Sequence, residues 1–500
     1  MSKTIIQLCR ATVATLLFCA SASSPASAQA FKHMADLTST DGALPAAPLL
    51  QGANGNFYGS GFGNGAGTIF EMTPGGNITA VYDFCSLPNC ADGAQPVAGL
   101  ILATNGNFYG TTFKGGGCGL PNGCGTVFGI TPAGKLTTLY SFCGEEEACP
   151  GGMFPEGGVV QTPDGSFYGT TSSGGVFGTG TIFRVTAAGK ATTLWTFCSL
   201  PNCADGEFPL AGLVLATNGN FYGTTGYNGA YLGGTIFEIT PAGTFTTLYS
   251  FCSQPHCADG ARPMGALIQA SNGNFYGTTY AGGVNGYQGG TIFEITPSGK
   301  FNTMYTFCSQ PNCADGEYPL AGLVQATDGN FYGTTWQGGA WNGDMCSRTC
   351  GTIFQITPAG RFTTLYTFCS EDLMCSDGWS PAAGLMQATD GNLYGTTLQG
   401  GPSVIGCGAG GCGTVYRWSM GLAPFIETLP TSGRVTTDVY ILGTNLTGTT
   451  GVSFNGTPAT FTVVSATKIE TKVPTGATTG TVTVATPTGT LSSNMPFRVN

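Results

Sequence analysis

The sequence predicts an all-β protein, a seven-bladed β-propeller closed by an N-terminal strand and followed by a small β-sandwich. Three observations lead there. A paragraph of about fifty residues is restated seven times, each copy carries the same hairpin turn, and one strand-like segment stands alone ahead of the first copy. Repeats of this length with their own strands and turns build rings or stacks of equivalent units.

The repeat is explicit. Asn-Phe-Tyr-Gly-Thr-Thr occurs at 107–112, 220–225, 274–279 and 330–335, with variants at 56–60, 166–171 and 392–397. A Gly-Thr-Ile-Phe-like segment follows each, at 67–70, 125–128, 180–183, 234–237, 290–293, 351–354 and 413–416. In the unit from Leu320 to Phe368, Ala321 to Ala326 reads as a first strand and Asp328-Gly329 as a hairpin turn. Asn330 to Thr335 reads as the second strand, Thr352 to Thr357 as the third, Pro358-Ala359-Gly360 as a turn and Phe362 to Phe368 as the fourth. Asn-Gly or Asp-Gly marks the first turn in all seven copies, a strong hairpin signal. Four antiparallel strands per unit suit propeller blades better than the shorter coils of a β-helix.

The ends of the repeat array predict ring closure. The last unit lacks its Thr-Pro-Ala-Gly turn and fourth strand, whereas Phe31 to Leu37 occupies the place of a fourth strand before the first unit. Completing blade seven with this strand would leave no open edge. The meander then puts the short turns on one face, and the strand two to three loops and inter-blade loops on the other. Every cysteine pair and long insertion is expected on that second face, which is stiffened and varied as binding surfaces on rigid scaffolds are.

Residues 1–28 read as a Sec-type secretory signal peptide: Lys3 and Arg10, the apolar Ala11 to Ser21, then Ala26-Ser27-Ala28 before cleavage. No later apolar run reaches the ~20 residues of a membrane span. A secreted, periplasmic or cell-surface, soluble protein is expected. Charged residues make up 8% of the chain, and the net charge of −10 becomes −12 once Lys3 and Arg10 leave. An acidic surface repels phosphate backbones, so nucleic acid is not an expected partner.

Cys9 and Cys19 lie in the signal segment, and the other eighteen of the twenty cysteines form nine close pairs. Six occupy one repeat position: Cys85/Cys90, Cys143/Cys149, Cys198/Cys203, Cys252/Cys257, Cys308/Cys313 and Cys369/Cys375. Cys118/Cys124, Cys346/Cys350 and Cys407/Cys412 occupy a second. An even count in an exported chain predicts nine local disulfides, each worth about 2 kcal/mol in a chain-entropy estimate. Each pair is confined to one short loop, and stiffening that loop is the expected main effect. Only His256 lies near a pair, which disfavours a four-ligand zinc site.

No catalytic constellation is legible, and no catalytic residue, metal ligand or cofactor is assigned. The two histidines, His33 and His256, do not recur, and the position after Gly-Thr-Ile-Phe is too mixed for a ring of ligands: Glu71, Gly129, Arg184, Glu238, Glu294, Gln355 and Arg417. Asp92, Asp205, Asp259, Asp315 and Asp377 recur in inter-blade Asp-Gly turns and read as turn formers, with calcium binding the alternative. The aromatics of the variable loops are the candidate binding residues: Trp336, Trp341, Tyr227, Tyr231, Tyr280, Tyr287 and Phe177, with Phe113 beside them. Flat rings among Asn, Gln, Gly and Asp suit sugar faces or a protein partner; the competing reading is that they cap the ring's own core. The expected function is an exported, non-catalytic, monomeric binding protein for an extracellular glycan or surface protein. The alternatives are a polysaccharide lyase or hydrolase, or a purely structural surface component. Clustered carboxylates in a central pocket would favour catalysis, and a shallow aromatic surface would favour binding.

Past Met420-Gly421, strand-like segments fall at Val439–Leu442, Gly451–Phe454, Thr460–Val464, Lys468–Val473, Gly480–Ala485 and Phe497–Val499. Pro424-Phe425-Ile426, Leu429-Pro430-Thr431-Ser432-Gly433, Gly443-Thr444-Asn445-Leu446, Val452-Ser453-Phe454-Asn455-Gly456, Val473-Pro474 and Thr479-Gly480-Thr481-Val482-Thr483-Val484 resemble an IPT/TIG domain over 423–500. That resemblance implies an immunoglobulin-like fold used as an extracellular spacer or interaction module. Asn-Phe-Tyr-Gly-Thr-Thr, Gly-Thr-Ile-Phe-Glu-Ile-Thr-Pro-Ala-Gly and Leu-Tyr-Ser-Phe resemble the GloVer tandem repeat of exported bacterial proteins over about 31–420. It implies location and architecture, and no settled activity.

Overall fold

A computed structural model describes residues 29–63, 65–118, 123–144, 149–283, 288–340, 350–370, 375–402, 407 and 410–500. Seven four-stranded antiparallel sheets follow one another around a ring. Blade four shows the unit: Val214–Leu215, Phe221–Thr225, Thr235–Ile239 and Phe245–Ser250, paired in that order. The first strand is much shorter than its sequence run. Only Val324–Gln325 pairs in blade six, because the preceding Ala-Gly-Leu packs against neighbouring blades.

The ring closes as the chain ends predicted. Ala30–Asp36 pairs antiparallel with Thr414–Ser419 and becomes the fourth strand of blade seven. Three further devices recur at the junctions between blades. The second-strand Tyr packs on the Phe of the following blade, as in Tyr222 on Phe275 at 4.0 Å, and Tyr394 on Phe57 at 4.2 Å across the closure. Gln51, Gln161, Gln269, Gln325 and Gln387 accept a backbone N–H from the preceding blade's hairpin turn, and the Thr389 N–H to Gln51 bond (2.9 Å) spans the closure. Ser60, Thr111, Thr170, Thr278 and Thr334 donate to carbonyls of the segment just ahead of the next blade's first strand. Within blades two to seven, buried Thr pairs such as Thr225 and Thr235 (2.8 Å) join strands two and three.

Fully buried Phe70, Phe128, Phe183, Phe237, Phe293 and Phe354 lie between sheets, and each points its ring tip at the Gly of a second strand. A Cβ built on Gly223 would sit 2.6 Å from Phe237 Cζ, so only glycine fits there. Fully burying a Phe contributes about 1.5–3 kcal/mol, so the repeated core amply supports the ring.

The C-terminal unit is a sandwich of two four-stranded sheets. One orders Glu427–Leu429, Asp438–Leu442, Lys468–Lys472 and Phe461–Val463; the other orders Thr457–Ala459, Gly451–Phe454, Val482–Thr486 and Gly489–Ser492. Ile426, Ile441, Leu446, Ile469, Val482 and Phe497 fill its core. Strands 427–429, 457–459 and 489–492 escape the sequence reading because they are short and polar.

This sandwich docks on the plain face of the ring. Thr467 Oγ1 donates to Ala53 O (2.8 Å) at the first turn of blade one, Phe425 N to Thr389 O (3.0 Å) at that of blade seven, and Arg498 to Thr217 O at that of blade four. The contacted turns stand on opposite sides of the axis. The sandwich therefore covers the plain face and leaves the other one open.

Candidate functional site

Eight of the nine expected disulfides lie wholly within the described residues: Cys85–Cys90, Cys118–Cys124, Cys143–Cys149, Cys198–Cys203, Cys252–Cys257, Cys308–Cys313, Cys369–Cys375 and Cys407–Cys412. Cys350 is also disulfide-bonded, and Cys346 lies outside the described residues.

Cys90, Cys375 and Cys412 form the expected bridges and also restrain their loops through the backbone. Cys90 ends a single 3-10 helical turn, Pro88–Cys90, and its carbonyl accepts from Gly93 N (2.9 Å) and Gly116 N (2.9 Å). Cys375 has left-handed backbone (φ 49°), and its carbonyl accepts from Gly378 N (2.9 Å) and Gly401 N (3.1 Å). Cys412 is fully buried in the core shared by blades seven and one, where its carbonyl accepts from Leu44 N (2.9 Å). The physical reason is that buried or enclosed backbone must find hydrogen-bond partners. These carbonyls therefore tie the bridged loops to neighbouring segments, and the disulfide is one of two restraints.

The inter-blade bridges sit in loops with left-handed backbone at both cysteines, for example Cys252 (φ 63°) and Cys257 (φ 54°). The recurrent aspartate holds that shape. Asp259 is fully buried; its Oδ2 accepts from Tyr249 Oη (2.8 Å), Ser253 N (2.9 Å) and Ser253 Oγ (2.8 Å), and its Oδ1 from Gln254 N (3.4 Å). Its oxygens are engaged by donors, which is what a turn-forming aspartate needs. Three Cys-Cys-carboxylate or three-Cys groupings occur on this face, around Cys124, Cys203 and Cys313, but their sulfurs are in disulfides and offer no thiolate.

The mixed position after Gly-Thr-Ile-Phe belongs to the plain face and follows a charge rule. In blades one, four and five the turn residue is Asn and a glutamate bonds the second-strand Tyr: Glu71 accepts from Tyr58 Oη (2.6 Å), Glu238 from Tyr222 Oη (2.8 Å) and Asn220 (2.6 Å), and Glu294 from Tyr276 (2.7 Å) and Asn274 (2.6 Å), whereas in blade two the position is Gly129 and Tyr109 Oη accepts from Asn105 (2.8 Å). In blades six and seven the turn residue is Asp and its carboxylate takes the Tyr instead, Asp328 from Tyr332 (2.8 Å) and Asp390 from Tyr394 (2.9 Å), with Gln355 and Arg417 at the partner position; in blade three Asp164 pairs with Arg184 (2.8 Å). Burial, then the neighbouring carboxylate, pushes the Tyr222 and Tyr276 hydroxyls up to about 12.

The opposite face presents a built rim around the axis. The residue before each inter-blade proline is left-handed in all seven repeats: Leu44, Gln95, Phe154, Phe208, Arg262, Tyr318 and Ser380, with φ between 53° and 59°. Such φ values are uncommon outside glycine and strongly disfavoured for bulky aromatics. Each is held by its N–H, which bonds the carbonyl ahead of the preceding blade's Gly-Thr segment, as in Phe208 N to Thr179 O (2.9 Å) and Tyr318 N to Gly289 O (2.8 Å). In six repeats its carbonyl accepts from the residue that follows the second strand: Tyr280 N to Arg262 O (2.9 Å), Trp336 N to Tyr318 O (3.1 Å), Phe113 N to Gln95 O (2.9 Å).

The result is an aromatic arc from blade two to blade six. Phe113 meets Phe154 at 5.1 Å, Phe208 meets Tyr227 at 5.9 Å, the Arg262 guanidinium lies over Tyr227 at 5.2 Å, and Tyr280 stacks on Tyr318 at 4.8 Å. Trp336 closes the arc, and among the described residues its buried indole N–H has no acceptor. Among the described residues, three carboxyl groups stand beside the rim: Glu207 and Glu317, which precede Phe208 and Tyr318, and Glu156, at a position where the other repeats have Ala46, Val97, Leu210, Met264, Leu320 and Ala382. Burial raises the pKa of the Tyr280 hydroxyl, and Glu317 adds to that rise. Burial also raises the Glu156 pKa, with Ser172 countering as a donor. The inner edges of the blades are Pro48, Gly99, Gly158, Gly212, Ala266, Gly322 and Gly384. They pack backbone to backbone: a Cβ on Gly158 would lie 2.9 Å from Gly99 O, and one on Gly322 2.3 Å from Ala266 O. These seven positions carry no acid or base, and the amides of the adjoining first strands, Gln51, Gln161, Gln269, Gln325 and Gln387, are bonded to neighbouring hairpin turns.

The structure thus gathers Tyr227, Tyr280, Trp336 and Phe113 at the rim. Phe177 and Tyr231 stand apart at the tips of neighbouring loops, 53% and 55% exposed beside Val176 and Leu232. Tyr287 and Trp341 lie outside the described residues. Sequence reasoning missed Phe154, Phe208, Arg262 and Tyr318. Their signal was present, since each precedes the recurring proline.

A profile of the Gloeobacter/Verrucomicrobia repeat matches residues 22–154, 146–346 and 310–436, and an IPT/TIG domain profile matches 424–499. Among solved structures, an oligogalacturonate lyase from Vibrio parahaemolyticus is similar at 10% identity and TM-score 0.43, over 78% of this chain and 96% of that one. A gluconolactonase from Xanthomonas campestris is similar at 11% and 0.38, over 77% and 89%. The PQQ-bound aldose sugar dehydrogenase from Streptomyces coelicolor is similar at 13% and 0.39, over 78% and 98%. No curated protein matches the chain.

Proposed function

The chain belongs to the Gloeobacter/Verrucomicrobia repeat family, and we propose that it is an exported, non-catalytic binding protein that takes an extracellular glycan at the open face of the ring. The aromatic arc carries this reading. Seven rings and a guanidinium line one rim, and four of these residues, Phe154, Phe208, Arg262 and Tyr318, are on left-handed backbone that costs of order 1–3 kcal/mol per residue and is characteristic of functional sites. Rings presented this way stack on sugar faces, while the exposed Arg262 guanidinium supplies donors for hydroxyls. Propeller catalysis draws acids, bases or metal ligands from several blades toward the axis. The inner edges supply glycine, alanine and proline, which supports binding over chemistry. The disulfides fit an oxidising compartment, and the described residues contain no helix long and apolar enough to cross a membrane. The leader over 1–28 stands as part of this proposal.

The test is a glycan array and a secretome pull-down with residues 29–500, comparing the parent with Tyr280→Ala and Trp336→Ala. Loss of a glycan signal by about tenfold or more in both variants, with unchanged thermal unfolding, supports the reading. A parent that captures only proteins redirects it to a surface-protein ligand. Variants that keep every interaction of the parent overturn it.

A further inference from the structure

The outer strands of the blades carry an aromatic ladder that is incomplete at the early junctions. From blade three to blade seven, a fourth-strand aromatic stacks on an aromatic at the start of the next fourth strand. Trp195 lies on Phe245 (4.5 Å, 6°), Tyr249 on Phe301 (3.9 Å, 6°), Tyr305 on Phe362 (3.9 Å, 5°) and Tyr366 on Phe31 of the closing strand (4.2 Å, 3°). Between blades one and two the second member is Leu136, opposite Tyr82. Between blades two and three it is Ala191, opposite Tyr140. The ring that four other junctions contain is missing here.

A second group is missing at this last place. Gly151 occupies the position of the buried aspartate, and a Cβ built on it would lie 3.3 Å from Tyr140 Oη. In other repeats that aspartate accepts the backbone N–H of Ser86, Ser199, Ser253 or Ser309. The corresponding residue is Gly144. Both deletions open into one cleft of about 350 Å³, lined by Tyr140, Gly144 and Gly151 on one side, Ala191 and Thr192 on the other, and Phe183. That volume lies within the range of small-molecule sites.

We propose that this cleft is a second ligand site, separate from the axial rim, for a neutral planar aromatic ring bearing an oxygen, a phenol-type ligand. The ring lies against Tyr140 where phenylalanine lies in the later junctions. The oxygen accepts the Gly144 N–H where the aspartate carboxylate accepts its counterparts. Offset stacking on tyrosine selects a flat ring, and the net charge of −10 disfavours an anion.

The experiment is ligand-observed saturation-transfer NMR on residues 29–500, with phenol as probe and cyclohexanol as the non-planar control. Phenol is expected to bind and cyclohexanol to bind more weakly. Ala191→Phe, which restores the ladder, is expected to weaken phenol by about tenfold or more. Ala191→Leu copies the natural Leu136 and serves as a second filling variant should phenylalanine disturb the fold, with circular dichroism as the check. Trp336→Ala should leave the phenol signal intact, which separates this cleft from the rim. Absence of phenol binding in the parent, equal binding by cyclohexanol, full binding in both filled variants, or loss of binding on Trp336→Ala overturns the proposal.

Discussion

The two faces of the ring come from the same seven repeats and have been put to opposite uses. On the face covered by the C-terminal sandwich, turns are short and polar side chains bond one another, Asn donating to Glu in one repeat and Arg pairing with Asp in another. On the open face, turns are long, disulfide-bridged and left-handed at bulky residues. One face minimises strain and the other holds it in place, which teaches that this scaffold spends its stability on a single rim.

The largest expected effect tests the scaffold side. Phe57 is buried and stacks on Tyr394 across the ring closure. Phe57→Ala should cost about 3–5 kcal/mol, as large aromatic truncations in cores do, and denaturant unfolding will measure it. If the loss falls below that of Phe275→Ala at the interior junction with Tyr222, closure is weaker than an ordinary blade contact.

Next comes the aspartate beneath the open face. Asp259→Ala strands the Tyr249 hydroxyl and the Ser253 and Gln254 amides, an expected cost of about 2–4 kcal/mol. Faster reduction of the Cys252–Cys257 bridge should accompany it, read by thiol labelling. The pH signs of the open face also differ. Burial pushes the Asp92 carboxyl up, but bonds from Tyr82, Ser86 and the Ser86 and Leu87 amides outweigh this and hold it below its ordinary 3.8. Its stabilisation is therefore complete above pH 3.8 and lost as pH falls through the lower folded value. Glu156 runs the other way: burial lifts it above 4.5, so stability declines as pH rises from 4.5 through the folded value. Glu156→Gln should flatten that decline in denaturation midpoints measured from about pH 4 to 7, and an unchanged profile would show that the carboxylate remains well solvated.

Much of this was legible beforehand because periodicity reports topology. Seven copies, a lone strand ahead of the first unit, a fourth strand missing from the last and paired cysteines point to blades, closure and the face that carries the disulfides. The rim was half legible. Trp336 and Tyr280 stand out as aromatics in variable loops, whereas Phe154, Phe208 and Tyr318 hide inside a repeated inter-blade turn whose left-handed backbone no composition reveals. The burial of Cys412 and the double acceptance at Cys90 and Cys375 were hidden for the same reason, since pairing of sulfurs is written in the spacing and the fate of a carbonyl is not. The charge rule linking Glu238 to Asn220 and Arg184 to Asp164 was equally hidden, since each partner lies about twenty residues away and only pairing across the sheet brings them together.

The rim itself should respond weakly in stability and strongly in binding. Arg262 is exposed with φ 57°. Arg262→Gly relieves that backbone and should leave stability unchanged or raise it by up to about 1 kcal/mol, while weakening any ligand held against Tyr227. A loss of stability above that scale would make Arg262 part of the scaffold and blur the contrast between the faces.

The smallest effect sharpens the contrast from the plain side. Gln325 shows how a junction glutamine bridges two hairpin turns: its Oε1 accepts the Ser271 N–H (2.8 Å) and its Nε2 donates to Gly329 O (3.0 Å). Between blades three and four the glutamine position is Leu215, and the residue that would donate to it is Pro163, which has no N–H. The leucine is thus the sensible occupant, because a glutamine there would leave its carbonyl without that donor. Leu215→Gln alone should be neutral or slightly destabilising. Combined with Pro163→Thr, which restores the donor found at Thr104 and Thr217, it should gain about 0.5–1.5 kcal/mol beyond the sum of the single changes. A double-mutant cycle without coupling would mean that these bridges form in the fold without helping to hold the blades together.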